Sequence, residues 1–468
     1  MEILLPYVLV AVPIISLFFG IIQYGKIDDP VGIVVITFCG LVLFTLTLSF
    51  VFNIITAIYI RFKKKMNQNN VSSPNKTSFY VINARLPKHQ DNQRYQLEIE
   101  NGIIKTIQSQ PSHQKYDRAV YDVEGDWISL GGVDLQINGA LGLPFPDLED
   151  HHLEQLFNIS QFLWQQGVDG FLPTIVTTSP EKIARSLSTI SQYIEQYQTK
   201  NFPYAKILGV HLEGPFLNPK KRGAHPENYL SSFTLDNLEA LIGKYSKQVR
   251  VVTCAPEISC DNRIIAQLRS RYPNILISLG HSLATVTEAE SAFCQGASLV
   301  THAFNAMPSL HHREPGLLGA ALVHRGVKCG VIADGEHISP IMLKLLLRMG
   351  EAEKRLFLVS DALAPLGLAD GVYPWDNREI EIKQGTARLA DGTLAGTTLP
   401  LLSGVSNLVN WGICEMGSAI ALATESPREA LGEPGLTVGQ PANLLHWQWD
   451  DSAQKLRWKR IMPKAERA

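Results

Sequence analysis

Polar and apolar positions change rhythm three times along the chain. Residues 4–22 are almost wholly apolar, and residues 31–60 carry no charged side chain. A helix crosses a hydrocarbon core about 30 Å thick with about 20 residues, so either stretch is long enough to span. The polar turn 23–30 (QYGKIDDP) separates them, and Arg61-Phe62-Lys63-Lys64-Lys65 follows. Basic clusters of this kind stay on the cytoplasmic side. The pattern predicts a transmembrane helical hairpin over residues 1–66 that anchors a large cytoplasmic downstream region to the membrane. A secretory signal peptide fits less well, because no basic residue opens the chain and a second apolar run follows at once. Residues 67–77 are polar and aperiodic, as a linker is.

From Ser78 the period becomes two. FYVINARL and YQLEIENGIIKTIQS alternate as strands do, and Asn101-Gly102 is a hairpin signal. Residues 443–449 and 455–461 repeat the pattern near the other end. These segments predict a small β domain built from residues 78–130 and 433–462.

Between them, over residues 131–432, short apolar runs alternate with helix-like stretches such as 180–198 and 235–245. The runs are GFLPTIVTT, KILGVHLEG, VRVVTCAPE, ILISLGHS, SLVTHAFNA, KCGVIADG and LFLVSDAL. Repeated β-then-α units predict a parallel sheet, and this many predict an α/β fold, a (β/α)8 TIM-like barrel.

Composition sharpens this in three ways. Mean hydropathy is +0.02, high for a soluble enzyme, and the first sixty residues raise it: Glu2, Lys26, Asp28 and Asp29 are their only charges. A net charge of −2 argues against a nucleic-acid partner, which calls for a basic excess. Six cysteines without a CxxC pair argue against a disulfide framework and for a reducing compartment.

Chemistry concentrates where the predicted barrel strands end: Gln136 and Asn138, then Glu213, His281, His302, His337 and Asp361. An acid closing an apolar strand is costly in a core unless it is paired or bound to metal. Glu213 with His281 and His302 makes one carboxylate and two imidazoles, a donor set for a catalytic divalent ion with one position left open. Asp361 reads either as a general acid/base facing that ion or as a helix N-cap. The run Lys220-Lys221-Arg222-Gly223-Ala224-His225 suits an anionic or polar substrate, or is simply a solvated charge run. Arg313 with Glu314 reads as part of an anion site or as a surface ion pair.

The blocks HLEGPFLNPKKRGAH, LGHSLAT, THAFNAM, REPGLLGA, ADGEH and VSDA, in this order, resemble the N-acetylglucosamine-6-phosphate deacetylase family of the amidohydrolase superfamily. The resemblance runs from about Ser78 nearly to the C-terminus. It implies hydrolysis of N-acetylglucosamine-6-phosphate to glucosamine-6-phosphate and acetate. It assigns Glu213, His281 and His302 to one divalent ion per chain, Zn²⁺ first, with Fe²⁺, Mn²⁺ or Co²⁺ as alternatives. It makes Asp361 the catalytic acid/base and places His225 beside the acetamido group. Ala224, His225, Asn305, Ala306, Arg313, Asp334, His337, Leu394, Ala395 and Gly396 become substrate contacts, and a homodimer is implied, because some members complete the phosphate site across one. Where many amidohydrolases carry His-x-His for a second metal, this chain has Gln136-Ile137-Asn138. Alternatives are an amidohydrolase acting on another N-acyl sugar phosphate, or a membrane-tethered sugar-phosphate-binding protein without catalysis.

Overall fold

The computed structural model of the chain describes residues 78–89, 93–198, 203–349, 352–376 and 378–461, all within the compact unit Lys76–Ala468. The stretches predicted as a transmembrane hairpin and linker lie outside the described residues. Among the described residues no helix is long and apolar enough to cross a membrane. The fold class is corrected accordingly to what the described residues show, a barrel with accompanying β-sheets, and the membrane hairpin, membrane-anchored location and membrane partner are withdrawn as unsupported by any described helix. Hydropathy and length were the whole basis of that expectation.

Eight parallel strands form a nearly closed barrel. In order they are Gly132–Ile137, Val168–Val176, Val210–Glu213, Val249–Cys254, Leu276–Leu279, Ala297–Val300, Lys328–Val331 and Leu356–Leu358. Each pairs in parallel with its neighbour in that order. Backbone bonds from Asp361 N–H to Gln136 O (2.9 Å) and from Asn138 N–H to Ala362 O (2.7 Å) draw the last strand back to the first. Alternate inward side chains Val133, Leu135, Leu172, Val251, Leu299, Ile332, Phe357 and Val359 fill the lower barrel. Because strand side chains alternate, this apolar floor leaves the carboxyl ends free to carry polar residues.

Outside the barrel, helices cover the sheet with one apolar face. Pro180–Tyr197 begins on Ser179, whose side chain accepts the Lys182 N–H, and buries Ile183, Leu187, Ile190 and Tyr193. The stretch predicted as a helix over 235–245 instead ends as α-helix at Ile242. Gly243 adopts φ +46°, breaks the run, and leaves a short 3₁₀ turn Gly243–Tyr245.

The two ends of the described chain share a core. Phe79–Ala84, Tyr95–Glu100, Ile103–Ser109 and Ala119–Asp122 form one sheet; Trp127–Leu130, Leu444–Asp450 and Lys455–Arg460 form another. Val81, Leu97, Ile99, Ile104, Ile128, Leu130, Leu444 and Ile461 pack into one apolar cluster between them.

A buried ion cluster ties the last strand to the base of the barrel. Asp169 takes Arg428 at 3.1 Å and Arg460 at 2.9 Å, and also accepts the Gly131 N–H at 2.8 Å. Arg428 donates onward to the Gly131 carbonyl, and the Arg460 guanidinium lies 3.4 Å over the Trp164 ring. Replacing Asp169 with Ala strands two buried guanidinium groups. The expected cost is about 3–5 kcal/mol, read as a lower denaturation midpoint in urea.

Candidate active site

At the carboxyl end of the barrel, Glu213, His281 and His302 converge from the third, fifth and sixth strands, and all three are buried. His281 Nε2 and His302 Nε2 each lie 3.1 Å from Glu213 Oε1 and 3.0 Å from each other. Ligand atoms about 2.0–2.1 Å from a tetrahedral ion sit about 3.3 Å apart, so these three atoms are already gathered as a coordination set.

The histidine tautomer agrees. A backbone carbonyl only accepts, and His281 Nδ1 lies 2.9 Å from the Lys221 carbonyl. The ring proton is therefore on Nδ1, and Nε2 turns its lone pair to the centre, as a metal ligand must. Burial alone raises the Glu213 pKa, but the adjacent His281 and His302 rings outweigh it and hold the carboxyl well below its usual range. His302 is raised: burial works against its charge, and the hydrogen bond to Glu213 prevails.

Asp361 stands beside this group. No helix follows it, so it is not a helix cap. Burial first, then the Glu213 carboxylate, push its carboxyl up. Its Oδ1 accepts Asn138 Nδ2 at 2.8 Å and Gln136 Nε2 at 3.1 Å, and Gln136 Nε2 also donates to Glu213 Oε1 at 3.1 Å. The two amides thus sit at the end of the first strand with N–H groups committed to the two carboxylates. His281, His302 and Asp361 hold φ of +48°, +26° and +47°, values that β-carbon-bearing residues rarely adopt. Three such residues at one strand-end cluster are the pattern of a preorganised site.

A cavity of about 960 Å³ opens onto this cluster. Of the residues singled out in the sequence, Glu213, Ala224, His225, His281, Asn305, Ala306, His302, His337, Asp361, Leu394 and Ala395 line it. Asp334 sits one step back, its Oδ2 2.7 Å from His337 Nδ1, so the dyad fixes the His337 ring. Gly396 adopts φ +150°, and a β-carbon there would press on the Asp361 carbonyl and Leu363. Arg313 is not brought to the cavity: it is exposed, with its guanidinium 2.8 Å from the His312 ring.

Three contributors escape a reading by motif. Thr177 directly follows the second strand, and its N–H and hydroxyl lie 3.3 Å and 2.8 Å from His225 Nδ1. The N–H can only donate, so Nδ1 is the acceptor and the His225 proton resides on Nε2. Burial, then the neighbouring His281, push the His225 pKa down to about 3, so the ring is neutral. Glu257, just beyond the fourth strand, accepts from Asn218 Nδ2 (2.9 Å), Ser282 Oγ (2.7 Å) and Leu283 N–H (2.6 Å). It joins the turn after His281 to the turn before Lys221. The hairpin of Gly371–Trp375 and Arg378–Lys383 adds Tyr373 and Trp375 to the cavity wall and holds the Ala224 carbonyl through Arg378, at 2.8 Å. The strand-end rule was available for Thr177, in PTIVTT, and passed over it because a threonine there is also ordinary strand sequence.

No protein-family model matches the chain. Human N-acetylglucosamine-6-phosphate deacetylase is 36% identical over 321 residues, covering 66% of this chain and 76% of the human one. The chain belongs to the N-acetylglucosamine-6-phosphate deacetylase family. N-acetylgalactosamine-6-phosphate deacetylase of Escherichia coli O157:H7 is 32% identical over 342 residues, covering 73% of this chain and 86% of that one. The solved Mycobacterium smegmatis N-acetyl-D-glucosamine-6-phosphate deacetylase, in complex with N-acetyl-D-glucosamine-6-phosphate, superposes with a TM-score of 0.70. It is 25% identical and covers 81% of this chain and 97% of that one. The chain is thus an enzyme of the amidohydrolase superfamily, in which a divalent metal serves hydrolysis, and the Glu213, His281 and His302 group is where such an ion fits.

Proposed function

We propose that this enzyme hydrolyses the acetamido group of N-acetylglucosamine-6-phosphate, with Glu213, His281 and His302 holding one divalent ion and Asp361 moving the proton. The observation that carries the reading is the convergence of these four buried side chains at the floor of one large cavity. A Zn²⁺ ion in such a set lowers the pKa of water and polarises an acyl oxygen; Fe²⁺, Mn²⁺ and Co²⁺ suit the same donors.

The chain's own residues do the rest. Neutral His225 presents Nε2–H to the acyl oxygen and stabilises the charge that develops there. Asparagine and glutamine amides occupy Asp361 Oδ1. This leaves Oδ2 to accept a proton from the attacking water as the C–O bond forms. Asp361 then returns that proton to the sugar nitrogen as the C–N bond breaks, giving glucosamine-6-phosphate and acetate. His337, Asn305 and Ala306 bind the sugar phosphate away from the scissile bond and orient it. The E. coli relative favours one second reading, in which the substrate is N-acetylgalactosamine-6-phosphate.

Acetate release from the two epimers, measured side by side, tests the assignment. Higher kcat/KM on N-acetylglucosamine-6-phosphate is expected; a preference for the galactose epimer, or turnover of neither, overturns it. Because Gln136 and Asn138 commit their amides to carboxylates, elemental analysis of purified protein is expected to give a metal content near one per chain. A content near two would contradict the single site.

A further inference from the structure

The cavity's positive charges are unevenly compensated. Lys182 is paired with Asp147 at 2.6 Å. Lys220 also lines the cavity and has no carboxylate partner among the described residues, but it is exposed to solvent. Arg222, beside the cavity, donates to the His225 carbonyl at 2.8 Å and faces Glu227 at 3.5 Å. Arg313 lies outside the cavity altogether. Lys221 differs from all of these. It lines the cavity and is half-buried, and among the described residues no carboxylate pairs with it.

Its position is nevertheless fixed at both ends. The Lys221 N–H donates to the Asn218 carbonyl at 2.8 Å, and the Lys221 carbonyl accepts His281 Nδ1–H at 2.9 Å. Its Nζ donates to the Met307 carbonyl at 3.2 Å, directly after Asn305 and Ala306 on the same wall. An ammonium has three donors, and one carbonyl uses one of them. A cavity-facing ammonium with unused donors and no counter-ion is available to an anionic ligand.

We propose that Lys221 is a specificity-determining residue that reads the phosphate of the sugar substrate. This rests on the deacetylase reading above. The ammonium donates its remaining N–H groups to phosphate oxygens beside Asn305 and Ala306. The same lysine couples the two halves of the site, since its main chain sets the tautomer of His281 while its side chain holds the anion.

The test compares N-acetylglucosamine-6-phosphate with unphosphorylated N-acetylglucosamine in wild type, Lys221→Met, Lys221→Gln and Lys221→Arg. The neutral variants keep the main-chain carbonyl that orients His281. They are expected to lower the preference for the phosphorylated sugar by roughly 10–100-fold, chiefly through KM, with Lys221→Arg restoring most of it. An unchanged preference overturns the proposal. Equal losses on both sugars also overturn it and assign Lys221 to supporting His281 alone. Calorimetric binding of glucosamine-6-phosphate against glucosamine separates this question from catalysis. If wild type released no acetate yet lost its phosphate preference in the neutral variants, the deacetylase reading would fail and the role of Lys221 would stand. If the variants bound both sugars as wild type does, the role of Lys221 would fail.

Discussion

Asp361→Asn is expected to lower kcat for deacetylation by about 10²–10⁴-fold while leaving the binding of glucosamine-6-phosphate close to wild type. The substitution keeps the shape of the side chain and one carbonyl oxygen that still accepts from Asn138 and Gln136. It removes the oxygen able to take a proton from water and hand it to the departing nitrogen. Asp361 is the right group for both steps because burial and the Glu213 carboxylate raise its pKa. A carboxyl held above its usual range is a stronger base when ionised, and a proton it has taken is not lost at once to solvent. Single-turnover kinetics with calorimetry on the same preparation separates the chemical step from binding. If kcat stayed within a few-fold of wild type, Asp361 would not be the acid/base.

Glu213→Gln is expected to abolish retention of the divalent ion, and turnover with it. Glu213 is the only carboxylate among the three converging ligands, and both imidazole nitrogens stand 3.1 Å from its Oε1. The amide is nearly isosteric but neutral, and Gln136 Nε2 already points at Oε1, so the variant puts a second amide against the first. The loss is expected to exceed the roughly 10–100-fold that outer-shell partners of a metal site carry. Metal content after dialysis, measured beside activity, reads it. A Glu213→Gln protein that kept its ion through dialysis would remove Glu213 from the ligand set.

What the linear sequence showed well was anything expressed as a strand end. Glu213, His281, His302 and Asp361 each follow a short β-branched or leucine-rich run. A polar residue closing such a run has few structural reasons to be there, so these positions could be selected before any geometry was known. The amide pair Gln136 and Asn138 was visible in the same way, as a departure from His-x-His. What sequence left dark were relations between loops. Glu257 bridges segments more than twenty residues apart on either side, and Thr177 meets His225 across 48 positions. Neither carries a pattern that distinguishes it from a turn acid or a strand threonine. The placement of Arg313 depends on how one loop turns, which spacing does not encode. The apolar N-terminal stretches differ in kind: their signal is strong but purely compositional, they lie outside the described residues, and no described helix is long and apolar enough to cross a membrane.

The most direct measurement is a titration of the metal-stripped enzyme with Zn²⁺ while acetate release from N-acetylglucosamine-6-phosphate is followed. Turnover is expected to be absent at the start, to rise in proportion to added ion, and to level off at one equivalent per chain. Acetate release before any ion is added, or a rise that continues to two equivalents, would contradict the single-ion site built on Glu213, His281 and His302.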